Sequence, residues 1–231
     1  VPGDTKMTCK LPHIQHKLEL SDYKIIHSGW HEIWKTKGVI RYDTDPQEVS
    51  EEFELDLALN KFLDAVVIVP YSLETEPHIY LTSCFRPTKD FCSGDYLAFP
   101  EEVGIGNTWE LPAGAVEPEE SKQLVKGYKM AAARELKEET GLVVNPDEMS
   151  FLGKRVFSGT GGERLFFLDI EIKNENKVPV IGDGHPLEKH TQTFKISIED
   201  ALNHILSGYL TDAKTEIGIY RLCKKLKRKI F

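Results

Sequence analysis

Apolar and polar residues alternate in short groups over positions 1–60, as in Tyr23-Lys24-Ile25-Ile26-His27, His31-Glu32-Ile33-Trp34, Val39-Ile40-Arg41-Tyr42 and Glu52-Phe53-Glu54-Leu55. Alternation with a period of two puts successive side chains on opposite faces of a strand, so this region reads as a small antiparallel meander with turns at Ser28-Gly29 and Lys37-Gly38. So few strands enclose little core, and the meander is expected to pack on the main domain or on a second subunit. The main domain, taken as 61–231, opens on Ala65-Val66-Val67-Ile68-Val69-Pro70, a buried-strand run. His78 to Arg86 reads as its antiparallel partner, ended by Pro87. From Thr88 to Asn107 glycine, proline and acidic residues interrupt every apolar group, which predicts a long loop.

The pattern then changes. Trp109-Glu110-Leu111-Pro112-Ala113-Gly114 is a short apolar strand running into a Pro/Gly turn, and Arg134-Glu135-Leu136-Lys137-Glu138-Glu139-Thr140-Gly141-Leu142 is a charged helical run closed by glycine. Two further strands are predicted at Phe151–Val156 and Leu165–Ile172, joined by a glycine-rich connector, Ser158-Gly159-Thr160-Gly161-Gly162-Glu163-Arg164. Residues 174–190 read as loop, Thr193–Ile196 as a strand, and Ser197 as the N-cap of a helix through Leu206. Thr211 to Arg228 forms a last amphipathic helix whose basic end complements the helix dipole.

Composition narrows the class. At 231 residues, 40% hydrophobic and 29% charged, the chain is an ordinary globular protein with enough length for a real core. A formal net charge of −8 gives no support to nucleic-acid binding, and no apolar run is long enough to span a membrane. Cys9, Cys84, Cys92 and Cys223 show no metal-binding spacing and no disulfide framework, so a reducing, cytoplasmic setting is expected.

The charged helix is the most informative stretch. At about 100° per residue, Glu135, Glu138 and Glu139 share one face, where like charges repel unless a cation offsets them. An exposed acidic face steadied by an Arg134–Glu138 pair would explain a lone Glu-Glu dipeptide. Here a strand and a glycine turn precede the helix and a glycine ends it, and that order resembles the Nudix hydrolase signature.

The resemblance implies an α/β class fold, an α/β/α sandwich with a mixed sheet, preceded by a β-rich N-terminal subdomain that helps form a homodimer. It also implies Mg²⁺ (or Mn²⁺), with Glu135, Glu139, Glu138 and the Ala113 carbonyl as ligands. Arg134 would orient the glutamates rather than touch substrate. The family pattern has a glutamate between the glycine and the Arg-Glu pair, but Gly114 and Arg134 stand six residues too far apart. Glu117, Glu119 and Glu120 all compete for that slot, with Glu120 favoured; Pro118 and Gly127 argue against one continuous helix and for a bulge or short turn.

The glycine-rich connector resembles the loop that delivers the general base in ADP-ribose pyrophosphatases, which makes Glu163 a catalytic candidate beside Glu138. Ser158 stands where that subgroup usually has proline, so substrate preference stays open. Cys84-Phe85-Arg86-Pro87 resembles the turn that sets a guanidinium on substrate phosphates, a task suited to the Arg86 fork. By the same resemblance Trp30 or Trp34 could stack on a nucleobase, although a tryptophan in a small β element is more often core or interface. The implied reaction is hydrolysis of ADP-ribose or a related nucleotide sugar. UDP-sugar or GDP-sugar diphosphatases are the nearest rivals, and an inactive Nudix-fold binding module is the rival from another class.

Overall fold

A computed structural model describes residues 15–60, 62, 64–74, 76–87, 106–157, 162–180 and 191–227. The chain divides into two compact units, Val1–Leu63 with Phe157–Arg164, and Asp64–Val156 with Leu165–Phe231.

The first unit is an antiparallel sheet of β1 (Lys17–Ser28), β2 (His31–Arg41) and β3 (Phe53–Asn60) in that spatial order. Its register sorts side chains by character. Leu18, Leu20, Tyr23 and Ile25 stand opposite Ile40, Gly38, Thr36 and Trp34, and these continue onto Phe53, Leu55 and Leu57 of β3. The other face carries Lys24, Lys35, Asp56, Lys37 and Glu54. Register shifts between Leu20 and Asp22 and between Ile25 and His27 reset the alternation, which keeps Tyr23 on the apolar face.

The turn expected at Lys37-Gly38 does not form; β2 runs straight through it. A Cβ on Gly38 would lie 2.4 Å from the Glu19 carbonyl oxygen, so this glycine marks close backbone approach rather than a turn.

The second unit is an eight-stranded sheet with β4 (Asp64–Leu73) and β5 (Pro77–Phe85) near its centre. These pair as a hairpin only around Tyr71–Leu73 and Pro77–Ile79. Elsewhere they part, and β6 (Asn107–Glu110) pairs with β5 while β7 (Ala113–Ala115) pairs with β4. Leu111-Pro112 carries the chain from one partner to the other, and the Pro112 carbonyl accepts from the Ile68 N–H at 2.8 Å. Proline suits a crossing point because no N–H is left unpaired there.

Helix α1 (Pro118–Ser121) and helix α2 (Leu124–Thr140) follow, broken at Lys122-Gln123, so the extra residues fold as a separate short helix. Then come β8 (Ser150–Phe151), β9 (Val156–Phe157), β10 (Arg164–Glu171), β11 (Thr193–Ser197), α3 (Ile198–Leu206) and α4 (Ala213–Lys225). The single strand expected over Phe151–Val156 is split, because Gly153 turns left-handed at φ +82° between β8 and β9. Ser197 caps α3 as expected, accepting from the Asp200 N–H at 3.0 Å.

Alternating residues of the sheet feed two cores. Val67, Val69, Ile79, Leu81 and Phe167 pack with Ile198, Ala201, Ile219 and Leu222 of α3 and α4. Val66, Ile68, Tyr80 and Leu168 pack with Ala131, Ala132 and Leu136 of α2. The result is the expected layered α/β arrangement, with α2 packed on β4 and β7. Most of the 88–107 loop, residues 158–161 including Ser158, and Cys9 and Cys92 lie outside the described residues. Among the described residues no helix is long and apolar enough to cross a membrane.

Candidate active site

The site grows from the meeting of β7 with α2. A Cβ on Gly114 would fall 2.1 Å from Glu135 Cδ, so the glycine is the space into which the Glu135 carboxylate fits. One residue earlier, the Ala113 N–H donates to Glu139 Oε2 at 3.3 Å. Two of the helix's three acids are thus seated on the main chain of β7. Thr82 of β5 donates to the Glu139 carbonyl and Thr193 of β11 to the Thr140 carbonyl, which tie down the end of α2 before Gly141 closes it at φ +73°.

Arg134 organises the acids. Its Nε and Nη2 donate to Glu120 Oε1 and Oε2 at 3.1 Å each, Nη1 to Glu135 Oε1 at 2.7 Å and Glu138 Oε2 at 3.2 Å, and Nη2 also to the Ala115 carbonyl at 3.1 Å. A guanidinium has five N–H donors, and all five are used. Burial opposes the charge, but hydrogen bonding to Glu120 and the charges of Glu135 and Glu120 outweigh it and hold Arg134 above the usual arginine range.

Of the three glutamates competing for the signature slot, Glu120 is the one on Arg134; Glu119 pairs with Lys122 at the surface. Glu120 reaches that place because α1 packs tightly on α2, where a Cβ on Gly127 would lie 1.7 Å from the Glu120 carbonyl oxygen. Expected among the metal ligands, Glu120 has Oε1 engaged by Arg134 and Oε2 by Arg134 and the Glu117 N–H.

Among the described residues no group of three or more His, Cys, Asp or Glu side chains is arranged to hold a metal by itself. The donor set nevertheless suits a hard divalent ion. Mg²⁺ is typically held by one or two carboxylates with substrate phosphates and water rather than by an all-protein cage. Glu135, Glu138 and Glu139 supply oxygen donors of that kind on one half-buried helix face.

Arg86, expected on substrate phosphates, is bound to Glu110 through Nε at 2.8 Å and through Nη2, while its side chain remains 47% exposed. Glu110 is 3% exposed and also accepts from Lys214, which in turn bonds Asp212 at 3.0 Å. Burial alone would raise the Glu110 carboxyl; hydrogen bonding from Arg86 and the charge of Lys214 reverse this and hold it below its ordinary 4.5.

A depressed carboxyl contributes stability that is full above its unfolded value and is lost as pH falls through the folded one. Glu110→Gln is therefore expected to cost about 3 kcal/mol at neutral pH, the low end for a broken buried pair because Arg86 is half exposed. Urea titrations should show that gap shrinking below pH 4.5. A gap unchanged down to about pH 3 would contradict the assignment.

Glu110 and Lys214 had no sequence signal beyond a charged residue inside an apolar strand and a lysine near a helix start. Cys84 beside this network is pushed up to about 11 by burial and stays a thiol.

The remaining candidates lie in the first unit. Trp34 stacks on Tyr23 with centroids 5.0 Å apart and donates Nε1–H to Glu32 at 2.9 Å. Trp30 is 60% exposed and meets Phe62 edge-on. Glu163 is half-buried and accepts from Asn60, a strand-end residue that no motif singles out.

The NUDIX domain family model matches residues 96–204, from ahead of β6 into α3. The chain carries a Nudix domain. Gly114 of β7, the Arg134 hub and the three glutamates of α2 all fall inside the matched segment. A solved structure described as the crystal structure of ADP compounds hydrolase resembles this Nudix protein with a TM-score of 0.64. The match covers 94% of this chain and 97% of that chain at 15% identity. At that identity the likeness is one of fold, and it takes in the β-rich N-terminal part as well. A comparison with curated protein sequences yields no match.

Proposed function

We propose that the Nudix domain hydrolyses the diphosphate linkage of ADP-ribose or a related nucleoside diphosphate sugar with Mg²⁺ or Mn²⁺. The products are a nucleoside monophosphate and a sugar phosphate. The observation that carries this reading is the saturation of Arg134: with every donor spent on Glu120, Glu135, Glu138 and Ala115, it arranges acids and has nothing left for substrate. When bound, the divalent ion neutralises phosphate charge and acidifies the attacking water.

The chain's own residues do the rest. Glu135, Glu138 and Glu139, with the Ala113 carbonyl, hold the ion, and Glu120 braces the hub. The exposed edge of Arg86 meets phosphate oxygens, and Trp30 or Trp34 offers an aromatic face to the base. Water oxygen bonds to phosphorus as the bridging P–O bond breaks, and the water proton passes to Glu163 or Glu138.

The apolar face of the β1–β3 sheet supports a homodimer as part of the same proposal. Leu18, Leu20, Tyr23 and Ile25 are each more than 40% exposed, and among the described residues β1 is an edge strand of the kind that proteins cover. Sedimentation showing only monomer at micromolar concentration would remove that part. A cytoplasmic setting belongs to the same proposal.

Turnover of ADP-ribose, UDP-glucose and GDP-mannose at equal concentrations, with product identification, tests the substrate. ADP-ribose is expected to give the highest kcat/KM, with AMP and ribose 5-phosphate as products. Faster cleavage of either rival would reassign the substrate, and cleavage of none would end the enzymatic reading.

A further inference from the structure

We propose that Asn60 is a positioning residue that holds the Glu163 carboxylate ready for its work as general base; the inference rests on the role given to Glu163 in the proposed function. Asn60 is the last residue of β3. Its side-chain amide donates to Glu163 Oε1 at 3.1 Å across 103 residues of sequence, and its Oδ1 accepts from the Phe62 N–H at 3.3 Å. The second bond decides which way the amide faces. With the oxygen committed to a donor, the NH₂ group must turn toward an acceptor, and Glu163 is that acceptor.

The backbone before Glu163 passes the same place: Gly162 is left-handed at φ +64°, and the point where its Cβ would stand is in van der Waals range of Leu59 Cδ2, the neighbour of Asn60. Phe62, whose N–H orients the amide, meets the Trp30 ring with centroids 5.7 Å apart. The end of β3 thus holds the glutamate through its carboxylate. An amide orients a carboxylate without supplying a countercharge, which is what a group that must accept a proton requires. Restricting the carboxylate to one orientation raises the fraction of complexes in a reactive geometry, so the effect belongs in kcat rather than KM.

A double-mutant cycle on the full chain tests this, with kcat and KM for ADP-ribose measured beside thermal unfolding. Glu163→Gln is expected to lower kcat at least about a hundredfold, within the range a general base contributes. Asn60→Ala should lower kcat roughly tenfold, with KM within about twofold. In the Glu163→Gln background, Asn60→Ala should add nothing.

Asn60→Asp keeps the shape and still accepts from Phe62, but it cannot donate and brings a second negative charge; kcat should fall at least as far as with alanine. A packing role would give the reverse order. Additive losses, an Asn60→Asp variant with wild-type kcat, or an Asn60→Ala variant with unchanged kcat would overturn the inference. Unchanged kcat in Glu163→Gln is a separate result, which overturns the role of Glu163 on which the inference stands.

Discussion

Gly114→Ala is expected to lower kcat by at least about a hundredfold, because a misplacement near 1 Å at a reacting centre is enough for a loss of that size. The added Cβ would stand 2.1 Å from Glu135 Cδ and 2.2 Å from its Oε1, closer than non-bonded atoms approach. Gly114 is paired with Val66 in the ladder to β4, so the backbone has little freedom to retreat. The carboxylate must leave instead, and with it one donor to the divalent ion and one acceptor for Arg134. Stability should change far less than activity, since removing the clash requires rotation of one half-buried side chain. Steady-state kinetics beside a thermal melt checks both halves; a variant keeping more than about a tenth of wild-type kcat would show that the Glu135 position does not matter.

Arg134→Leu should be the more damaging change, because it acts on stability and on chemistry together. Removing the guanidinium leaves Glu120, Glu135 and Glu138 as neighbouring anions without their shared cation, and Glu120 is 9% exposed. Breaking buried pairs by deleting one partner costs about 3–5 kcal/mol, and the 28% exposure of the Arg134 side chain points to the lower end. Lysine is not an adequate substitute. Its ammonium has three donors where five are in use, and it cannot match the two oxygens of Glu120 at once. Arg134→Lys is therefore expected to recover part of the lost stability in urea titrations but little of the lost kcat. Full recovery of kcat by lysine would mean that charge alone, not the fork geometry, organises the acids.

Much of this centre was legible in the sequence because it is local. Glu135, Glu138 and Glu139 share a face through helix periodicity alone, and Gly141 ends that helix for a reason visible in one residue. The placing of Glu120 was less readable. Six additional residues between Gly114 and Arg134 leave three acids in contention, and only the break at Lys122-Gln123 and the contact of Gly127 with Glu120 decide among them.

Two strand boundaries were misread for a common reason. Gly38 and Gly153 are both glycines in apolar runs, yet one permits close strand approach and the other turns left-handed, a difference set by neighbours distant in the chain. Long-range polar pairs were invisible for the same reason. Arg86 and Glu110 are 24 residues apart, and Glu110 and Lys214 are 104 apart; no spacing rule links them.

The most direct test of the account is the hydrolysis of ADP-ribose with Mg²⁺ by the wild-type chain and by Glu139→Gln, followed by phosphorus NMR of the products. Glutamine can still accept from the Ala113 N–H that now meets Glu139 at 3.3 Å, so the substitution removes charge while leaving that contact in reach. The wild-type chain should give AMP and ribose 5-phosphate, and Glu139→Gln should be slower by at least about two orders of magnitude with an unchanged melt. Wild-type turnover by Glu139→Gln would contradict the assignment of the α2 carboxylates as the catalytic centre.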